Sequence, residues 1–121
     1  MQYLLLIYGD ESQLEGRTET EQKNIYGEYM ELANSMRAKG QYVGGNRLDS
    51  ISKATTVQVR GGKRLVTDGP FAETKEQLGG YFLVEANDLD EAIRLAERIP
   101  APRWGSVEVR PIIPVPLPAH V

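Results

Sequence analysis

The chain has 121 residues, 26% of them charged, with 14 basic and 17 acidic side chains and a net charge of −3. Such a length suits one domain, and the slightly acidic balance gives nucleic acid or anionic lipid no reason to bind. Cysteine is absent, which excludes disulfides and thiolate chemistry and argues against a tetrahedral metal site.

The first strand is expected over Gln2 to Tyr8, with apolar residues on both alternating faces. This apolar run is short and lacks a basic leader, so it reads as a strand rather than a signal peptide. No stretch approaches the roughly 18 apolar residues of a membrane span. A cytoplasmic location is the expectation. Gly9-Asp10-Glu11-Ser12 then turns the chain into a polar stretch.

Thr18 and Glu21 have the spacing of a capping box and open a helix. Ile25, Tyr29, Leu32 and Met36 form its apolar stripe, with Ala33 beside it, and Gly40 is its stop. Gly27 inside this helix points to close packing. Tyr42 to Leu48 is a second strand, and Gly44-Gly45 predicts a bulge or the close approach of another backbone. A linker over Ser50 to Lys53 leads to a half-buried strand at Thr55 to Arg60. Gly61-Gly62 predicts a two-residue turn, and Lys63 to Thr67 returns antiparallel.

Val66 to Tyr81 follows, broken by Asp68-Gly69-Pro70 and rich in charge. Phe71 is expected to pin this loop to the core, Gly79-Gly80 to hinge it, and Ala72 to Gln77 to make one helical turn. Charged residues on an anchored loop mark a candidate site. Tyr81 to Val84 is another strand with two apolar faces. Asp88 and Glu91 form a second capping box, opening a helix with Leu89, Ala92, Ile93, Ala96 and Ile99 as its stripe. Pro100 ends it. The last strand is Val107 to Ile113, which closes a domain over residues 1–113. Residues 114–121 form a proline-rich tail.

The order β-α-β, hairpin, β-α-β predicts an α+β, ferredoxin-like sandwich carrying an inserted β-hairpin. Two helices cover one face of such a sheet, and Leu4, Leu6 and Val84 then need a second cover. A homodimer, sheet against sheet, supplies it.

Asp68-Gly69-Pro70-Phe71, the continuation through Glu73, Lys75 and Gly79-Gly80-Tyr81, and Asp88-Leu89-Asp90-Glu91-Ala92 carry a resemblance. Ala54-Thr55-Thr56-Val57 and Val107-Glu108-Val109-Arg110-Pro111 extend it over nearly the whole chain. In these residues the chain resembles the YCII-related superfamily, in its DGPF branch. The resemblance implies a dimeric α+β barrel. It also implies association with extracytoplasmic-function sigma factors, whose genes often neighbour those of the branch. Some members of the superfamily are linked to lyase chemistry through a His-Asp pair. This chain departs from that pattern, because its one histidine, His120, follows the tail prolines.

Asp68 is the candidate catalytic residue, as a general base or a partner for a ligand's donor. The alternative is that it caps its own turn through the N–H of Phe71 or Ala72. Glu73, Lys75 and Glu76 could line a polar pocket opposite Arg47 or Arg64, or could simply be solvated. Tyr81, with Tyr8 and Tyr42, offers a phenol to a cleft or packs in a core or interface. Trp104 next to Arg103 suggests a cation–π contact, but is read first as an aromatic covering the end of the second helix. The ligand-binding set is therefore Asp68, Arg47, Glu73, Lys75 and Tyr81. No dinucleotide fingerprint and no P-loop is present, so no cofactor is expected. The expected activity is binding of a small molecule near the Asp68–Tyr81 loop at or near the dimer interface. The alternative is a non-catalytic partner of a sigma factor.

Overall fold

The computed structural model describes residues 1–116. The expectations for Pro118 and His120 lie outside the described residues. Strand β1 (Gln2–Gly9) leads through a short helix α1 (Glu11–Glu15) into the long helix α2 (Glu19–Ala38) and strand β2 (Tyr42–Arg47). Strands β3 (Thr55–Arg60) and β4 (Lys63–Asp68) come next, then β5 (Gln77–Glu85), α3 (Leu89–Arg98) and β6 (Ser106–Pro111).

Four strands form one antiparallel sheet in the order β2-β5-β1-β6, while β3 and β4 pair only with each other. Two β-α-β units interleaved in this way make the ferredoxin-like sandwich, with the hairpin inserted between them. Thr18 caps α2 by accepting from the Glu21 amide at 3.1 Å, and Asp88 caps α3 by accepting from the Glu91 amide at 2.8 Å. Gly40, at φ 70°, ends α2 in the left-handed conformation that glycine adopts without strain.

The core lies between the two long helices and one face of the sheet. Leu32, Ala33 and Met36 of α2 and Ala92, Leu95 and Ala96 of α3 meet Tyr3, Leu5, Phe82 and Val84. Burying side chains such as Leu5, Met36 and Val84 stabilises by about 1.5–3 kcal/mol each. Val84 is thus covered by the helices, contrary to expectation; register places Leu83, opposite Leu4, on the face without helices.

Several local expectations change. The α3 stripe is rotated: Leu89 and Ile93 are exposed, and Leu95 is buried instead. Strand β3 is half-buried, but on its polar face: Thr56 and Gln58 are partly covered while Val57 and Val59 face solvent, and β4 is exposed at all six positions. Phe71 pins nothing, at 80% exposed. No helical turn forms over Ala72 to Gln77. Gln77 Nε2 ties that segment instead, donating to the Thr74 carbonyl at 2.7 Å.

The glycine pairs divide by role. Both expectations for Gly44-Gly45 hold: the β2–β5 register slips between Tyr42 and Gly44, and a Cβ on Gly45 would lie 3.0 Å from the Tyr81 carbonyl oxygen, with the Phe82 ring closer still at 2.7 Å. Gly79-Gly80 is part of β5 rather than a hinge, and a Cβ on Gly80 would meet the Asn46 carbonyl at 2.9 Å. Gly27 packs against nothing, since a Cβ there would have no neighbour within 4 Å. At the end of the chain, β6 stops at Pro111, so Ile112 and Ile113 are not strand residues.

Candidate functional site

The face of the sheet without helices carries an apolar strip and several polar groups. Leu4 stands opposite Leu83, and Leu6 opposite Tyr81. Asn46 of β2 flanks Tyr81 on the other side and donates from Nδ2 to the Tyr81 phenol oxygen at 2.8 Å. That bond fills one acceptor site of the phenol and leaves its O–H free to donate elsewhere. On the other flank, Tyr8 donates to Glu108 at 3.4 Å, and Arg110 Nε donates to Glu108 at 2.8 Å. The chain thus collects two phenols, an amide, a carboxylate and a guanidinium around leucines on one face. Each stands there because strand alternation puts every second residue on the same side.

The five ligand-binding candidates are not brought together. Tyr81 is half-buried on the helix-free face. Arg47 pairs with Gly80, one position out of phase with the Asn46–Tyr81 pair, and so faces the helices. There its charge acts on Tyr29 of α2, whose phenol burial pushes up to about 12. Asp68 ends β4, exposed, and its carboxylate accepts no hydrogen bond among the described residues. The turn after it is held by backbone: the Gly69 amide donates to the Ala54 carbonyl at 2.7 Å, and Thr56 Oγ1 donates to the Gly69 carbonyl at 2.8 Å. The capping role considered for Asp68 is therefore not its role in this structure.

Glu73 and Lys75 are exposed on the loop. Lys75 acts on Asp10, whose carboxyl is held below its ordinary range chiefly by hydrogen bonds from the Ser12 hydroxyl and amide, with a smaller contribution from the lysine. Glu76 is anchored rather than solvated, accepting from Ser106 Oγ of β6 at 2.9 Å. Arg64 is exposed on β4, where its ladder partner is Val59.

Two residues passed over in the sequence organise this end of the sheet. Glu11 accepts from the Ile51 amide at 2.9 Å and from Ser50 Oγ at 3.0 Å, and its own amide donates to Gln77 Oε1 at 3.0 Å. It thereby clasps the ends of β1, β2 and β5 together. Asn46 has a detectable signal, a polar residue between paired glycines and a charge within a strand. Glu11 has none, because its partners lie 39 and 40 positions away.

Helix-side clefts lie elsewhere. One of about 370 Å³ is bounded by Arg98, Pro102 and Arg103, and a second of about 310 Å³ by Arg17, Asn24 and Trp104. Between them the Arg103–Glu28 ion pair closes at 2.6 Å. The Arg17 and Arg103 guanidiniums lie 4.5 and 5.2 Å from the Trp104 ring centre, so the indole is a cation–π partner as well as a cover for the neighbouring Gly9. None of the five candidates lines either cleft.

The YCII-related domain model matches residues 1–116, the whole of the described chain. This chain belongs to the YCII-related domain family. A relative from Rhizobium meliloti (strain 1021), itself named only as an uncharacterized protein, is 35% identical over 114 residues. The match spans 93% of this chain and 92% of that protein. The YCII-related domain here is thus an antiparallel α+β sandwich whose second face carries the Tyr81–Asn46 and Tyr8–Glu108–Arg110 groups. Among the described residues no helix is long and apolar enough to cross a membrane.

Proposed function

We propose that this YCII-related domain is a homodimer that binds a small molecule on the helix-free face, beside the Asp68–Tyr81 loop. The observation that carries the reading is the Tyr81 phenol, oriented by Asn46 at 2.8 Å and set among Leu4, Leu6 and Leu83. Apolar side chains around a few oriented polar groups are the usual chemistry of a ligand site. A second copy laid against this face would form the dimeric barrel and exclude water from the phenol. Asp68 and Lys75 then belong to the rim, and Arg47, on the other side of the sheet, drops out of the direct contacts. The free donors of Tyr81 and Lys75 favour a ligand with acceptor oxygens, such as a small carboxylate. The DGPF assignment rests on Asp68-Gly69-Pro70-Phe71 itself, and association with a sigma factor rests on the family resemblance alone.

A panel of small carboxylic acids followed by amide NMR tests this reading. Binding should shift the resonances of Leu6, Tyr81 and Leu83, and Tyr81→Phe should weaken it by about tenfold, the worth of one hydrogen bond to a charged group. Equal affinity in wild type and Tyr81→Phe, or shifts confined to the helix-side clefts, would remove the proposed site.

A further inference from the structure

The β3–β4 hairpin poses a physical problem that the sandwich does not solve. It is a two-stranded sheet with no third strand, and such hairpins are marginal in water unless something packs on them. Register puts Val57 directly opposite Val66, with Val59 on the same face two residues along. These three stand 60%, 52% and 62% exposed, so an ordered apolar face is presented to solvent. Phe71, just beyond the hairpin's base, is still more exposed.

The tip adds an independent observation. Arg60 stands directly opposite Lys63, and Arg64 opposite Val59, on either side of Gly61-Gly62. Like charges facing each other across a ladder destabilise it. Arg60 donates only to the Val59 carbonyl, and none of the three cations makes an ion pair among the described residues. Without these three, the chain's 14 cations become 11 against 17 carboxylates, so the rest of the molecule carries −6. A positive tip on an otherwise acidic chain is complementary to another copy of that chain.

We propose that the β3–β4 hairpin is an intersubunit arm, with its Val57–Val59–Val66 face and cationic tip docked on a second copy of this chain. Six residues per strand give the arm a reach of about 20 Å. Two-fold exchange buries the valine face twice, once on each copy, which a contact confined to the open sheet would not do. It also places the three cations against acidic surface, which relieves their mutual repulsion and makes association dependent on salt. The inference rests on the dimer proposed above and needs no ligand.

The test compares three full-length proteins by sedimentation velocity over a dilution series: wild type, the triple variant Val57→Thr/Val59→Thr/Val66→Thr, and the tip variant Arg60→Glu/Lys63→Glu/Arg64→Glu. Threonine keeps the β-branched shape and the strand preference while removing apolar surface, so the hairpin survives the change. Each variant should raise the dimer dissociation constant at least tenfold. The wild-type constant should also rise with added sodium chloride, and the tip variant should lose that rise or reverse it. A wild-type dimer whose constant moves less than about threefold in both variants overturns the arm. If Leu83→Glu breaks that same dimer, the helix-free face stands as the interface without it. A wild type that stays monomeric at every concentration overturns the arm and the dimer together.

Discussion

Tyr29 packs 6.3 Å from Phe82, ring centre to ring centre, where α2 meets the sheet. Burial raises its phenol from an ordinary 10 to about 12, opposed to a lesser degree by Arg103 and Arg47. A group whose folded pKa exceeds its unfolded one contributes stability in full below the unfolded value and loses it as pH rises through the folded value. The urea midpoint should therefore fall between pH 10 and 12, and Tyr29→Phe should make that descent shallower. An identical descent in both proteins would place the hydroxyl in water. Asp68 invites the opposite expectation. With no hydrogen bond to lose, Asp68→Ala and Asp68→Asn should each lie within about 0.5 kcal/mol of wild-type stability by chemical denaturation. A loss of about 1 kcal/mol confined to the alanine variant would restore the turn-capping role. If Asp68 serves the ligand instead, both variants should weaken binding in calorimetry while the fold stays intact.

At the scale of elements, what was legible in the sequence is what is local. Thr18 with Glu21, and Asp88 with Glu91, announce their helices because the bonded partners lie three residues apart. Asp88→Ala should accordingly cost about 1 kcal/mol, and an unmoved melting temperature would mean that α3 begins elsewhere. The α3 face is not legible in the same way, because Leu89 and Ile93 are apolar but stand on the flank, and side-chain identity alone does not fix the rotation of a short helix. Glycine pairs were legible as irregularities and not in their consequences. Gly45 accommodates the Phe82 ring, so Gly45→Ala should destabilise by about 1–3 kcal/mol through overpacking. Gly27 accommodates nothing, so Gly27→Ala should stabilise by about 1 kcal/mol through helix propensity. Opposite signs for two identical substitutions make a sharp check by thermal melts. A destabilising Gly27→Ala would show that the outer side of α2 is covered in solution.

For the whole molecule, the sandwich and its inserted hairpin were readable from element order, because β-α-β connections leave few topologies. The candidate site was less readable. Asn46 and Tyr81 are 35 positions apart, and one step of strand alternation sends Arg47 to the face opposite Tyr81. The ring of Phe71 suggests a core anchor, yet the nearby turn is closed by the Gly69–Ala54 and Thr56–Gly69 bonds and needs none.

That same closure has a consequence for how such chains diversify. Thr55 and Asp68 face each other as ladder partners, so the hairpin leaves the sandwich and returns to it about one strand spacing, or 5 Å, apart. Everything between those two residues is a cassette, which can be shortened, lengthened or exchanged without moving β2 or β5. Because closure entropy grows only with the logarithm of length, a longer cassette adds little cost to folding. A chimera carrying another relative's segment between Ala54 and Gly69 should therefore keep its melting temperature within a few degrees while its choice of partner follows the graft.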